Sequence, residues 1–246
     1  MKKISIITVV KNGMPDLKNA IKSFDDQNYI NKEHIIVYSK STDNTEQYLN
    51  TIRSQSRIIL QDNNTGNKFD SINIGMDCAN GDLIGLLHSD DEFYNRDVLS
   101  NIEKKFEENI NFLYGNILIV SKKNKIIRKW KSGRFDIKQI EFGWMPPHTS
   151  TFIEKKFSAQ IGYYSNLFKI SSDYDYMLRC LKDKNLKIGY LNDYVTKMKF
   201  GGDSTKISSL LKKMHEDFKI QKKNRLKFPL FSLLFKNLRK INQFMN

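Results

Sequence analysis

Two adjacent carboxylates follow an apolar run in the stretch Leu86–Tyr94, which reads LLHSDDEFY. The apolar residues predict a buried strand, and the polar turn behind it carries Asp90 and Asp91. Ligands of open α/β sheets bind beyond the carboxyl ends of the strands. Hard divalent cations prefer such oxygen ligands and keep positions open for substrate phosphates. The pair therefore indicates a site for Mg²⁺ or Mn²⁺; the alternative is a solvated turn whose Asp caps the next helix.

The segments before this turn predict the sheet that positions it. Strands are expected at Ile4–Val10, His34–Tyr38 and Arg57–Leu60, each a β-branched or apolar run. Helical spacing follows each strand, most clearly over Asp70–Asn80. This alternation predicts an α/β fold with a mostly parallel, Rossmann-like sheet flanked by helices. Neither a G-x-G-x-x-G turn nor a P-loop occurs, which disfavours a dinucleotide site and an NTPase.

The second half of the chain has a different pattern. After a helix over Val98–Glu108, a hairpin is expected from Phe112–Val120 and Ile126–Trp130. A proline-containing loop, a helix near residue 174 and a strand near Ile188–Tyr194 complete a smaller α+β region. We therefore expect one domain over residues 1–205, with a nucleotide half (1–111) and an acceptor half (112–205), followed by a helical tail at 206–246.

The tail carries most of the net positive charge of this +14 chain, with eleven lysines and arginines against two acids. Apolar residues from Phe231 to Met245 recur at helical spacing between basic residues. This pattern is typical of a helix in an anionic membrane interface; the alternative is a helix docked on the protein itself. Two cysteines without disulfide or metal spacing, no leader and no membrane-spanning stretch predict a cytoplasmic protein, which the tail would make peripheral on the inner face of the cell membrane.

Seven motifs occur in an order that resembles one enzyme family. They are ISIITVVKNG (4–13), EHIIVYSKSTDNT (33–45), DSINIG (70–75), LIGLLHSDD (83–91), HTSTF (148–152), SDYDYMLR (172–179) and GGDS (201–204). Over roughly Lys3–Ser204 the sequence is similar to the inverting family 2 glycosyltransferases of the GT-A fold. The resemblance is greatest to bacterial members that assemble surface polysaccharides and O-antigens.

The resemblance implies a reaction and the residues that perform it. Asp90 and Asp91 would hold a divalent metal that bridges the phosphates of a nucleotide-diphosphate sugar. Asp173 matches the family's general base, which deprotonates the acceptor hydroxyl in a single inverting displacement; the alternative for Asp173 is a helix N-cap. The donor would contact a larger group: Thr8, Val10, Tyr38, Lys40, Ser41, Asp43, Asp70, Asn73, His88 and Ser89. The acceptor side would include Trp144, His148, Asp175, Gly201 and Gly202.

Several of these residues have a structural alternative. Asp43 and Asp70 are also suited to helix caps, and His148 to a hydrogen-bonded loop. Gly201 and Gly202 could form a tight turn, Trp144 could pack in a core, and Asp175 is expected to support the site without reacting.

The sequence departs from the family at two positions. Tyr38 stands where members usually carry an Asp that reads uracil, and His88 stands at the first acidic position of the metal motif. A UDP-sugar stays the default donor, with Tyr38 stacking on the base and Lys40 reaching a phosphate. We predict a metal-dependent transferase acting on a growing glycan that is expected to be lipid-linked. The alternatives are a catalytically silent scaffold and a nucleic-acid-binding protein. For the second alternative, the sequence contains no recognisable nucleic-acid-binding module.

Overall fold

The computed structural model describes residues 1–52, 56–61, 67–201 and 207–241. Its strands are β1 (Ile4–Val10), β2 (Lys32–Tyr38), β3 (Arg57–Leu60), β4 (Leu83–Leu86), β5 (Glu92–Phe93), β6 (Phe112–Val120), β7 (Ile126–Trp130), β8 (Thr151–Glu154) and β9 (Ile188–Lys199). Its helices are α1 (Asp16–Asp25), α2 (Thr45–Thr51), α3 (Lys68–Cys78), α4 (Val98–Phe106), α5 (Lys155–Ile161), α6 (Ser172–Leu181), α7 (Ile207–Lys223) and α8 (Pro229–Ile241). Short 3₁₀ segments cover Ile137–Phe142 and His148–Ser150.

The strands form one mixed sheet in the order β3-β2-β1-β4-β8-β6-β9-β5, with β7 beside β6. Strands β1 to β4 run parallel, so their carboxyl ends share one edge. Strand β8 lies antiparallel between β4 and β6, and β9 runs parallel to β6. The predicted α/β fold with helices on a mostly parallel sheet is therefore confirmed.

Strands β1 and β2 are buried on both faces over most of their length, which is why they read as continuous apolar runs. Ile7 of β1 packs with α3 on one face, while Ile6 packs with α1 and α4 on the other. Gly75 of α3 permits this approach, because a Cβ there would lie 2.4 Å from Cγ2 of Ile7. Helix α3 is thereby fixed against β1, at the edge where the acidic turn begins.

The second half differs from the sequence prediction in three elements. Helix α5 was not predicted, α7 was expected only as part of the helical tail at 206–246, and β9 continues to Lys199 instead of ending near Tyr194. Strand β9 is long because it pairs with β6 along most of its length and with β5 near its end. Such pairing between distant segments leaves no periodic signal in the sequence of β9 itself.

The tail helices pack on the rest of the protein. In α8, Ser232 is buried, and Nζ of Lys236 lies 2.8 Å from Oδ2 of Asp217 in α7. Phe235 meets Phe142 edge-to-face on the 3₁₀ segment. The opposite side of α8 exposes Leu230, Phe231, Leu234 and Leu238. One face of this helix is thus docked while an apolar face stays open. Within the described ranges, no helix is both long and apolar enough to cross a membrane.

Candidate functional site

The acidic turn lies at the carboxyl edge of the parallel strands, directly after β4. Asp90 is half-buried, whereas Asp91 is only 1% exposed. One carboxylate oxygen of Asp91, Oδ1, accepts a hydrogen bond from the backbone N of Lys199 at 3.2 Å. The other, Oδ2, is buried and has no hydrogen-bond partner in the described part of the chain. Buried polar atoms are nearly always paired in proteins, so this oxygen marks a place for a ligand.

The charges around the turn favour a cation there. Burial raises the pKa of Asp90, with a further contribution from Asp16. Burial also raises the pKa of Asp91 well above its usual value, reinforced by the neighbouring Asp90. The negative charge of these acids is partly compensated by Lys199, whose Nζ lies 2.5 Å from Oδ1 of Asp16. A divalent cation would offset the mutual repulsion of these carboxylates more fully than one lysine does.

The residues present fit a metal that is shared with a substrate. Among the described residues, no three His, Cys, Asp or Glu side chains are grouped so that they could enclose an ion by themselves. Magnesium-type ions are commonly held by one or two carboxylates, with phosphates and waters as the other ligands. Asp90 and Asp91, with the unpaired Oδ2, satisfy that requirement.

Two histidines connect the acidic turn to the helix that carries Asp173. Nε2 of His88 lies 2.8 Å from Nε2 of His148, and Nδ1 of His148 lies 3.4 Å from Oδ2 of Asp173. Burial lowers the pKa of both imidazoles, so each carries one ring proton at neutral pH. If His148 donates its Nδ1 proton to Asp173, its Nε2 must accept a proton from His88. The pair thereby holds the carboxylate of Asp173 in one orientation.

Asp173 occupies the first turn of α6 without capping the helix. The N-cap position is taken by Ser171, and a carboxylate oxygen of Asp173 accepts from the N of Tyr174 at 2.9 Å. Burial by itself would raise the pKa of Asp173, but His148 and three lysines together hold it below the usual value. The carboxyl group is one-fifth exposed and ionised at neutral pH, so it can accept a proton from a ligand.

These three lysines were not singled out as site residues from the sequence. Lys68, Lys213 and Lys236 come from α3, α7 and α8, and the charge of each lowers the pKa of Asp173. Lys68 also acts on Asp90. Lysines on helix surfaces usually indicate solvent exposure, so no sequence signal distinguishes these. Together they make the cleft electropositive, which suits a phosphorylated ligand.

The loops after β1 and β2 are joined by several predicted donor-binding residues. Asp43 accepts from the N of Met14 at 2.9 Å and from the N of Thr45 at 3.0 Å, and Ser41 Oγ accepts from the N of Asn12 at 3.1 Å. The hydroxyl of Thr8 donates to the carbonyl of Leu87 at 2.7 Å within the core. These polar groups position the loops, and the oxygen atoms named here are hydrogen-bonded inside the protein.

Tyr38 and Val10 lie at the ends of their strands but belong to the core. Tyr38 is 7% exposed and packs with Val10 and Leu17. Its ring therefore offers little surface for stacking on a base, contrary to the expectation from sequence. Lys40 lies two residues farther and is exposed at the same sheet edge, and Ser89 is half-buried beside Asp90.

The two α3 residues predicted to contact the donor, Asp70 and Asn73, have different surroundings. Asn67 is the N-cap of α3, so Asp70 is free of the capping role considered for it and stays half-buried in the first turn. The side chain of Asn73 instead clamps Tyr164, accepting from its N and donating to its O at 2.9 Å each. Asn73 therefore anchors the loop that leads to α6.

The acceptor-side residues do not form one group. Trp144 is buried, donates from Nε1 to the carbonyl of Ser132 at 3.0 Å and packs on Tyr114, so the core-packing alternative describes it. Asp175 is fully buried and faces away from Asp173. His148 alone joins the site, while Gly201 is exposed with a φ of +121° and Gly202 lies outside the described residues.

Comparison with known proteins identifies the family. The model of glycosyl transferase family 2 matches residues 5–167. The chain belongs to this family. A related PGL/p-HBAD biosynthesis glycosyltransferase of Mycobacterium tuberculosis is 26% identical over 180 residues, which cover 71% of this chain and 68% of that protein. A GalNAc(5)-diNAcBac-PP-undecaprenol beta-1,3-glucosyltransferase of Campylobacter jejuni is 28% identical over 174 residues, covering 70% of this chain and 53% of that protein.

Solved structures of glycosyltransferases share the fold. Residues 1–349 of S. aureus TarS in complex with UDP-GlcNAc align with a TM-score of 0.71 and 16% identity, covering 98% of this chain and 72% of TarS. The mannosyltransferase PcManGT of Pyrobaculum calidifontis, in complex with GDP-Man and Mn²⁺, gives 0.66 and 13% identity, with coverage of 96% and 69%. In a structure of a longer S. aureus TarS chain, the alignment covers only 43% of the TarS chain. This protein therefore has the GT-A-like fold that was expected from its sequence.

Proposed function

We propose that this protein transfers a sugar from a nucleoside-diphosphate donor, by default a UDP-sugar, to a hydroxyl of a growing surface glycan, with inversion at the anomeric carbon. The observation that carries this proposal is the link from the acidic turn to Asp173. The 2.8 Å contact between His88 and His148 connects the turn of Asp90 and Asp91 with Asp173. The first two carboxylates are suited to a metal and a diphosphate, and the third is ionised and exposed to the cleft.

The acceptor is activated by Asp173. Its carboxylate takes the proton of the attacking hydroxyl while the oxygen of that hydroxyl forms a bond to the anomeric carbon. A lowered pKa keeps Asp173 deprotonated, and His148 keeps its oxygen aimed into the cleft. A single displacement with a base on the acceptor side inverts the anomeric configuration. An NMR assignment of donor and product anomers tests that outcome directly.

The leaving group is stabilised by positive charge. The bond from the anomeric carbon to the diphosphate oxygen breaks, and the nucleoside diphosphate departs with the electron pair. A divalent ion held by Asp90 and Asp91 would neutralise the charge that develops on the diphosphate. Lys68 adds a fixed positive charge on the same side, since it acts on Asp90 as well as on Asp173.

Calorimetric titration tests the donor site. We expect one class of nucleoside diphosphate, with UDP as the first candidate, to bind more tightly with Mn²⁺ than with a chelator, because the ion joins the carboxylates to the phosphates. UDP, GDP and their sugars form the panel, and the matching nucleosides without phosphate serve as controls. Absence of binding by every member, with and without metal, would contradict the proposal and favour a silent scaffold.

The acceptor is proposed to be lipid-linked. Support comes from the Campylobacter relative, whose name describes an undecaprenol-linked acceptor. Further support comes from α8, whose open face combines Leu230, Leu234 and Leu238 with the nearby basic residues Lys227 and Arg239. A helix of this composition binds at the surface of anionic bilayers. The tail would bring the enzyme to the cytoplasmic side of the membrane that carries its acceptor.

Liposome sedimentation tests this surface. Replacing Leu230 and Leu234 with serine should release the protein from anionic vesicles, because the apolar anchor is lost while the charge is kept. Ile30→Ser is the matched control, since Ile30 is 83% exposed but lies far along the chain from α8. Deleting α8 entirely is less informative, because it also removes Lys236 and leaves the buried Asp217 unpaired. Equal binding of the double variant and the native protein would refute a membrane role for this face.

A further inference from the structure

Helix α7 holds the segment that leads into the helix of Asp173. The carboxylate of Glu216 accepts three backbone hydrogen bonds, from the N of Lys169 at 3.0 Å and from those of Ile170 and Ser171 at 2.9 Å each. These amides immediately precede α6, where helix N–H groups lack partners within the helix. An acidic side chain at this end of a helix is also favoured by the helix dipole. Glu216 therefore fixes where α6 begins.

Further contacts along α7 hold the first turn of α6. Gln221 donates to Oη of Tyr174 at 3.1 Å, and Lys223 and Asn224 contact Oδ1 of Asp175 at 3.1 and 3.2 Å. The first turn of α6, which follows the residues held by Glu216, is thus also tied to this C-terminal part of the chain. Within the described ranges, no hydrogen bond from α7 reaches the carboxylate of Asp173. Apart from the charge of Lys213, α7 therefore acts on the backbone that carries this residue.

The opposite side of this turn faces the reaction site. Asp173 lies two residues after Ser171 and meets Nδ1 of His148 at 3.4 Å. A displacement of the first turn by about 1 Å would break that contact, and misplacement of this size can cost about a hundredfold in rate. The location of Asp173 therefore depends on both His148 and the clamp formed by Glu216.

We infer that Glu216 is a positioning residue for Asp173, acting through the backbone of residues 169–171. This inference rests on the proposed transferase function, in which Asp173 is the base. It makes the C-terminal helix pair part of the catalytic apparatus, in addition to its proposed contact with the membrane. We expect donor binding to be independent of this clamp, since Asp90 and Asp91, which are proposed to bind the donor through a metal, lie on the turn after β4.

A matched control exists at a second junction of the tail. Glu141, in the 3₁₀ segment, accepts a hydrogen bond from the N of Lys227 at 2.7 Å, just before α8. The chemistry is the same as at Glu216, a carboxylate accepting from backbone N–H, but the contact does not involve α6. Glu216→Gln and Glu141→Gln therefore separate positioning of Asp173 from general attachment of the tail.

The experiment compares kcat, donor affinity and the pH profile of the full-length variants. Glu216→Gln should lower kcat by about tenfold to a hundredfold, with donor affinity unchanged by calorimetry, whereas Glu141→Gln should keep both. The acid limb of the kcat profile should also move to higher pH in Glu216→Gln. His148, Lys68, Lys213 and Lys236 face Asp173 and hold its pKa down, and a loosened turn would weaken that effect.

The outcomes are distinguishable. A uniform loss of kcat at every pH, or equal losses in both variants, would overturn the positioning role. If Glu216→Gln does not fold by circular dichroism, Glu216→Asp replaces it, which keeps the charge but shortens the reach; native kcat and an unmoved acid limb in that variant would also overturn the inference. A native protein that binds no donor and transfers no sugar would instead refute the proposed function.

Discussion

Replacing Asp173 with asparagine should lower sugar transfer by roughly 100- to 10,000-fold while leaving donor affinity nearly unchanged. The amide cannot take the proton of the acceptor hydroxyl, yet it preserves the volume of the side chain and a hydrogen-bond acceptor for His148. Steady-state kinetics measure the transfer, and calorimetry with the donor measures the affinity. Equal losses of both would show that Asp173 binds the donor instead of acting as the base.

The neighbouring Asp175 provides the contrasting variant. It lies two residues along α6, on the opposite side of the helix. Its buried carboxylate contacts Nε of Arg179 at 3.0 Å and Nζ of Lys223 at 3.1 Å. Asp175→Asn should cost about 1–3 kcal/mol of unfolding free energy, below the value for a fully buried pair because both partners reach solvent. Thermal unfolding should report this loss. The value of kcat per folded molecule should fall far less than in Asp173→Asn, because the amide oxygen of the variant can still accept the hydrogen bonds from Lys223 and Asn224.

The order of the early elements could be predicted because their signals are local. A strand buried on both faces reads as a continuous β-branched run, as in Ile4–Val10, and the structure has the same bounds. The hairpin of β6 and β7 also matches its predicted ranges. In each case the pattern that marks the element lies within the element itself.

Elements defined by distant contacts could not be predicted in the same way. The helical tail at 206–246 was expected and includes α7, but the buried face of α7 was not. Because α7 carries lysines around most of its surface, its buried positions, including Ile220 and Gln221, give no clear apolar stripe. Tyr38 and Trp144 illustrate the same limit for aromatic side chains. An aromatic ring can stack on a ligand or pack in the core, and the sequence does not distinguish the two. Tyr38 packs with Val10 and Trp144 with Tyr114, so both rings belong to the core.

Within the site, the sequence identified the carboxylates but not the groups that act on them. Asp90 and Asp91 were identified by their position after a strand, and Asp173 by its match to a motif of the family. Their partners come from elsewhere in the chain, as Lys68 and Glu216 show. Glu216 is one of two acids in a basic segment, where a sequence reading assigns it to solvent. Its role becomes visible only when α7 is placed against α6.

The acidic turn gives the second large expected effect. Asp90→Asn should weaken the binding of the diphosphate donor in Mn²⁺ by at least about tenfold and make the remaining binding insensitive to a chelator. The substitution removes a charged ligand that faces the cleft, and ion binding at such sites relies on one or two carboxylates. Glu92→Gln is the control, because Glu92 directly follows the two carboxylates but lines a cavity of about 250 Å³ with Tyr94 and Ile126.

Asp91→Asn should show whether the buried carboxylate is a ligand or a support. If Oδ2 of Asp91 binds the ion, the asparagine variant should lose Mn²⁺-dependent donor binding to the same extent as Asp90→Asn, since the orphaned oxygen is the one that changes. If Asp91 only ties the turn to β9 through the N of Lys199, the amide oxygen can still accept that bond, and binding should persist. Donor affinity that keeps its full Mn²⁺ dependence in both variants would rule out a metal site on this turn. The charge of Lys68 would then have to stabilise the leaving diphosphate without help from these carboxylates.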